Sequence, residues 1–177
     1  MNMEALEVLK NRRSVRKFKP DQITEEQLNA VLEAGTYAPT GGGTQSPLII
    51  AVQTPENVAK VDALNAKVMN KEGMHPYYGA PTILLILATE RAMNEEIGTL
   101  DAASVCTNLL NAAYAAGLDS CWIHRCRLMF ETEEGKSLLK EWGVTEPVTG
   151  VCSIALGYAD CEIAPAKERR ADYVLKV

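Results

Sequence analysis

Histidine is scarce in this chain: its 177 residues include only His75 and His124. Zinc sites draw on His and Cys at short, regular spacing. None can be assembled here, because the five cysteines (Cys106, Cys121, Cys126, Cys152 and Cys161) are scattered and form no CxxC. An odd, dispersed set also argues against a disulfide framework. Most of these thiols are expected to be small buried hydrophobes, with Cys121 and Cys126 set apart because they flank a candidate site. A basic surplus is missing too. The net charge is -5, which disfavours nucleic acid as a partner, since phosphate contacts need a basic surface. No apolar run approaches the roughly 20 residues that span a bilayer; the longest, Ile83 to Ala88, is strand-sized. The opening MNMEALEVLKNRR lacks the apolar core of a signal peptide, so a cytoplasmic location is expected.

Hydrophobic residues make up 47% and charged residues 23%, a globular balance. The length suits a single core of about 100–200 residues, so residues 1–177 are expected to form one domain. Met3 to Asn11 reads as a helix, with Met3, Leu6 and Val8-Leu9 near helical spacing. Thr24 and Gln27 form a capping-box pattern ahead of a helix carrying Leu28, Val31 and Leu32 and closing near Gly35. A loop from Ala38 to Pro47 then feeds a short buried strand, Leu48 to Val52. Pro55 opens a helix running to about Asn70, and Lys71 to Pro81 is a loop long enough to be a lid. Thr82 to Ala88 is the second strand. Ile97 to Ala116 is a helix apolar nearly all round, and so buried on several sides, either at the domain centre or as half of a subunit interface. Ser120 to Ile123 and Val148 to Leu156 are strands either side of an amphipathic helix, Glu131 to Trp142. Tyr173-Val174-Leu175 could add a strand or dock on a partner. Alternating helices and strands imply an α/β or α+β class with one central sheet.

Three features bear on chemistry. Arg12, Arg13, Arg16 and Lys17 crowd one helix end, with Lys167, Arg169 and Arg170 late in the chain. If helical geometry persists, Arg12 and Arg16 share a face. Arginine forks suit phosphate oxygens, although cations at a helix C-terminus also complement its dipole. Gly41-Gly42-Gly43 would let backbone N–H groups approach a ligand, with Thr40, Thr44 and Gln45 supplying polar side chains. The loop lacks the GK[ST] ending of a P-loop, and it precedes a strand where a dinucleotide fingerprint would follow one; a plain connector fits it equally well. His124 stands at a strand end. No GxSxG is present, which leaves a thiol nucleophile at Cys121 or Cys126 beside His124 as the remaining side-chain chemistry.

Taken in order, these segments resemble the nitroreductase family of FMN enzymes. Arg12-Arg13-Ser14-Val15-Arg16-Lys17-Phe18 is similar to its RRSxRxF signature, and Ala38 to Ser46 to its APSxxNxQP loop. Asp101 to Asn108, Ala113, Gly117-Leu118 and Trp122-Ile123 resemble its long interface helix and the strand beyond. Lys167-Glu168-Arg169 resembles its late K-x-R element. The resemblance implies an α+β fold in α/β/α layers: a mostly antiparallel central sheet flanked by helices, one of them long and buried. It implies a homodimer with FMN at the interface, NADH or NADPH as donor, and ping-pong reduction of nitroaromatic, quinone or similar electrophilic acceptors. Arg12, Arg13, Ser14, Lys167 and Arg169 would hold the FMN phosphate, and Arg16 would lie near the flavin N1–C2=O edge. Thr40, Gly41, Gly42, Gly43 and Gln45 would border the ring. Ile123, His124 and Arg125 would follow, with the backbone N–H near Arg125 toward flavin N5 and His124 and Arg125 as candidate substrate-side residues. No side-chain acid or base is then required. A non-catalytic FMN-storing or FMN-sensing protein is the alternative that uses the same residues; a cysteine-based enzyme is another.

The chain departs from the family pattern in places. Gly43 stands where asparagine is usual, Ser46 where proline is, and His124-Arg125-Cys126 is bulkier than the small residues common beside N5. The lid before the long helix is nearly absent, which leaves the pocket open or covered by Tyr77-Tyr78.

Overall fold

The computed structural model describes residues 4–177; Met3, where the sequence places the first helical residue, lies outside the described residues. Four strands form one sheet in the order β1 (Leu48–Val52), β2 (Thr82–Thr89), β4 (Val148–Gly157) and β3 (Asp119–Ile123), every neighbouring pair antiparallel. The β2–β4 register slips between Ile86 and Leu87, leaving Val151 as the extra residue of a bulge.

All eight residues of β2 are buried, because this central strand is covered on both faces. Its side chains alternate between two cores. Ile83, Leu85 and Leu87 face Val61, Leu64, Met129, Leu138 and Leu139, carried by α3 (Pro55–Val68), α5 (Cys126–Glu131) and α6 (Glu133–Glu141). Leu84 and Ile86 face Leu28, Val31, Val105 and Leu109, carried by α2 (Glu25–Thr36) and α4 (Glu95–Ala115). The result is three layers, α/β/α. Each fully buried Leu or Ile contributes roughly 1.5–3 kcal/mol, so β2 is the anchor of the fold.

Local chemistry explains most boundaries. The Thr24 hydroxyl accepts from Gln27 N, and the Gln27 side chain accepts from Thr24 N, so the expected capping box forms. Asn94 caps α4 through Ile97 N, which starts that helix two residues before the apolar pattern does. The expected helix from Glu131 to Trp142 forms as α6, Glu133–Glu141. Thr132 is extended and its hydroxyl accepts from Gly135 N, capping α6 and breaking it from α5. Helix α5 itself, with Cys126, Met129 and Phe130 buried, lies in a stretch to which the sequence assigns no element. It packs close on β4, since a Cβ at Gly150 would strike the Cys126 carbonyl.

The opening helix, α1 (Ala5–Asn11), buries Val8 alone; Leu6 and Leu9 are exposed. Helical geometry stops there, at an extended Arg12, so Arg12 and Arg16 do not share a helix face. Sheet pairing captures the segment instead. Val15 N donates to the Ser120 carbonyl, Ser14 bridges to Ser120, Phe18 bridges to Ala159, and Val15 and Phe18 are buried. Tyr173-Val174-Leu175 is exposed and adds no strand within this chain.

Candidate active site

The extended run after α1 lies on the outer edge of β3, and the late segment 161–169 folds back beside it. Between them is a cleft of about 1110 Å³, near the upper end of small-ligand pockets. The structure thus brings Arg12, Arg13, Ser14, Arg16, Lys167 and Arg169 together. Lys10 adds to their charge, and Glu162 and Glu168 are the only carboxylates in the lining.

The state of these cations is the informative feature. Arg12 Nη1 and Arg13 Nε are buried and without a hydrogen-bond partner among the described residues. No carboxylate pairs with Arg12, Arg13, Arg16, Lys167 or Arg169 among the described residues. Arg13 Nη1 donates to the carbonyls of Lys10 and Arg12 (2.7 and 2.9 Å), and Arg169 donates twice to the Lys167 carbonyl (2.6 and 3.0 Å). These local bonds fix the forks and leave positive charge unneutralised. Leaving a buried donor unmade costs about 1–3 kcal/mol, a cost that a bound polyanion removes.

Farther along the same edge, β3 ends at Ile123 and is followed by His124 and Arg125. His124 is exposed beside the Trp122 ring, centroids 5.8 Å apart. Arg125 adopts a left-handed backbone, φ 79° and ψ 3°, and its Nε donates to Asn65 Oδ1 on α3 (2.9 Å). Three residues of strand, about 10 Å, separate Ser120 from Ile123.

The glycine loop lies elsewhere. It precedes β1, the edge strand on the opposite side of the sheet from β3, and none of its residues lines the cleft. Gly41 to Gly43 form a short 3₁₀ turn with positive φ at Gly42, Gly43 and Gln45. Asp101 of α4, 4% exposed, holds the loop: Oδ1 accepts from Gly41 N (2.8 Å) and Oδ2 from the Ser46 hydroxyl (2.6 Å). Thr40 Oγ1 accepts from Gln45 N. Ser46 therefore has a structural use that proline could not serve. One chain does not unite all the expected site residues.

Comparison with known proteins supplies the context. The nitroreductase family profile matches residues 9–158. This chain belongs to the nitroreductase family. It is 29% identical to a nitroreductase with bound FMN from Bacteroides fragilis, with a TM-score of 0.87 over 99% of each chain. An FMN-dependent nitroreductase from Clostridium difficile is 25% identical with a TM-score of 0.82 over the whole of both chains. A relative from Archaeoglobus fulgidus, described as a candidate NADH dehydrogenase/NAD(P)H nitroreductase, is 25% identical over 88% of this chain and 85% of its own length. The layered fold, with an all-antiparallel sheet and α4 laid across it, is the nitroreductase fold.

Two side chains beyond the expected site residues fasten the candidate site's segments: Asp101 holds the glycine loop, and Asn65 holds Arg125. A carboxylate early in an otherwise apolar helix was the available signal for Asp101; Asn65 carried none. The Tyr77-Tyr78 cover is not what the structure shows. Tyr77 is buried, with its hydroxyl on Ser153 Oγ (2.8 Å) and its backbone N–H donating to Asp62, because its ring fills the core beside α3. Burial pushes the thiols of Cys106, Cys121 and Cys126 upward, against thiolate chemistry. Among the described residues no group of His, Cys, Asp and Glu could hold a metal ion, and no helix is long and apolar enough to cross a membrane.

Proposed function

We propose that this nitroreductase binds FMN in the arginine cleft and is an oxidoreductase, passing electrons from NADH or NADPH to nitroaromatic, quinone or similar electrophilic acceptors. The observation that carries the reading is the pair of buried, unpartnered guanidinium nitrogens, Arg12 Nη1 and Arg13 Nε, in a cleft of unneutralised cations. Charge-assisted bonds to phosphate oxygens complete such donors. FMN held by these residues would supply two-electron chemistry, and the donor and the acceptor would use the cleft in turn, in a ping-pong cycle.

The chain's own residues bind and orient. Arg12, Arg13, Ser14, Lys167 and Arg169 hold the phosphate. Arg16 places positive charge where the reduced ring gathers negative charge. The backbone N–H near Arg125, at the turn that follows Ile123, would lie toward the reactive edge. The overall conversion balances without a side-chain acid: NAD(P)H and a solvent proton take a quinone to the hydroquinone, or a nitro group to nitroso and water.

The cleft and the glycine loop lie at opposite edges of one sheet, which supports a homodimer in which Thr40, Gly41, Gly42, Gly43 and Gln45 of a second copy close over the ring. Exposed Leu6 and Leu9 on α1 and Leu100 on α4, the last 58% exposed, supply apolar surface for that contact.

The test is an absorption spectrum of the protein loaded with FMN, followed by anaerobic NADH or NADPH. Bound flavin bands that bleach support the reading. Bands that persist with every donor favour an FMN-storing or FMN-sensing protein, and failure to take up FMN overturns the assignment.

A further inference from the structure

Arg125 is held where its backbone alone would favour glycine. At φ 79° an L side chain is strained, so the side chain at this position has a use that offsets the strain. That use is not capping: Arg125 precedes α5 and makes no side-chain cap bond. Its Nε is instead fixed on Asn65 Oδ1, and Asn65 is fully buried. The opposite end of the turn is also fastened, since Ser153 Oγ donates to the Ile123 carbonyl (3.3 Å) and is itself bonded to Tyr77. Arg125 is half-buried. Among the described residues no carboxylate pairs with it, and its Nη nitrogens make no hydrogen bond to the protein.

A rigid, part-desolvated fork with two free donors matches a carboxylate in bidentate geometry, and pre-fixing it lowers the entropy lost on binding. We propose that Arg125 is a specificity-determining residue that selects acceptors bearing a carboxylate. This rests on the FMN reading, which sets the turn at Ile123, His124 and Arg125 against the reactive edge of the ring. The phosphate-holding arginines lie upstream along β3 and are occupied by the cofactor in that reading, which leaves Arg125, at the turn beyond Ile123, free for the acceptor.

The experiment compares nitrobenzene with 4-nitrobenzoate as acceptors for the FMN-loaded wild type, Arg125→Gln and Arg125→Lys. It also titrates benzoate against the flavin absorbance, which reads binding without turnover. The wild type is expected to favour 4-nitrobenzoate. Arg125→Gln should cut the 4-nitrobenzoate to nitrobenzene ratio of kcat/KM by about ten- to hundredfold and weaken benzoate by a similar factor. Arg125→Lys should fall between, keeping the charge and losing the fork. Using a ratio cancels any shared loss from altered flavin binding. An unchanged ratio and an unchanged benzoate affinity, in a protein that still reduces nitrobenzene, overturn this proposal and leave the FMN reading standing. A change confined to the KM of NADPH overturns it too, by giving Arg125 to the donor. A wild type that takes up FMN, is bleached by neither donor and reduces neither compound removes this proposal and the oxidoreductase reading together.

Discussion

The segment from Arg12 to Arg16 and the loop from Gly41 to Ser46 are both irregular, and their polar groups meet different fates. In the first, guanidinium nitrogens of Arg12 and Arg13 are buried without partners, and no carboxylate pairs with them, among the described residues. In the second, Asp101 and Thr40 take up the donors of Gly41, Gln45 and Ser46, leaving Thr44 Oγ1 as the unpartnered buried atom. A protein tolerates unmade buried bonds mainly where a ligand makes them. In the proposed reading an anion completes the arginine segment, whereas the glycine loop satisfies most of its polar groups within the chain.

The contrast predicts opposite responses to mutation. The largest effect is on affinity: Arg12→Ala should weaken FMN by about 1.5–3 kcal/mol, roughly ten- to 150-fold, in a fluorescence titration, while the melting temperature without FMN moves little. An unchanged dissociation constant would remove Arg12 from the phosphate site. Asp101→Ala should do the reverse. It strands the Ser46 hydroxyl and Gly41 N–H, so stability should fall by about 1–3 kcal/mol in denaturant unfolding; equal stability would mean the loop does not depend on α4. Gly150→Ala tests the ground beneath the β3–α5 turn. A Cβ there meets the Cys126 carbonyl, and backbone cannot yield as a side-chain tip can, so a loss of about 1–3 kcal/mol is expected.

Smaller effects sharpen the picture. Cys161 is exposed and the other four thiols are buried, so brief alkylation of the native protein at neutral pH should label one thiol per chain by mass spectrometry. Rapid labelling of Cys121 or Cys126 would revive the thiol reading. The least effect is electrostatic. The Lys17–Asp160 pair (2.7 Å) holds the Asp160 carboxyl below and the Lys17 ammonium above their ordinary values, chiefly through their hydrogen bond. The carboxylate contribution is present above the ordinary carboxylate range and lost as pH falls through the lowered value. The ammonium contribution is present below the ordinary lysine value and lost as pH rises through the raised one. Both groups are solvent-exposed and screened, so Asp160→Asn should shift the melting temperature between pH 5 and 8 barely at all. A marked drop would show the late segment to be tied more firmly than this pair implies.

The comparison also shows what could be read from sequence. The β2 run, the Thr24 capping box and the Pro55 start were visible because each is decided by neighbours within a few residues. Helix α5 was missed because its apolar residues, Cys126, Met129 and Phe130, span under two turns behind a polar His-Arg pair. The extended course of Arg12 to Phe18 depended on a strand more than a hundred residues away, and pairing overrode the helical pattern. The cleft's arginines were legible as charges. Their unpartnered state was not, because it is a property of the packed chain.

The most direct test sets FMN against riboflavin, which lacks the phosphate, in the wild type and in Arg12→Ala. If the arginine cleft holds the phosphate, the wild type binds FMN far more tightly than riboflavin, and Arg12→Ala erodes that advantage while leaving riboflavin affinity nearly as it was. Equal affinities for the two flavins in the wild type, or an equal loss for both in the variant, would contradict the account.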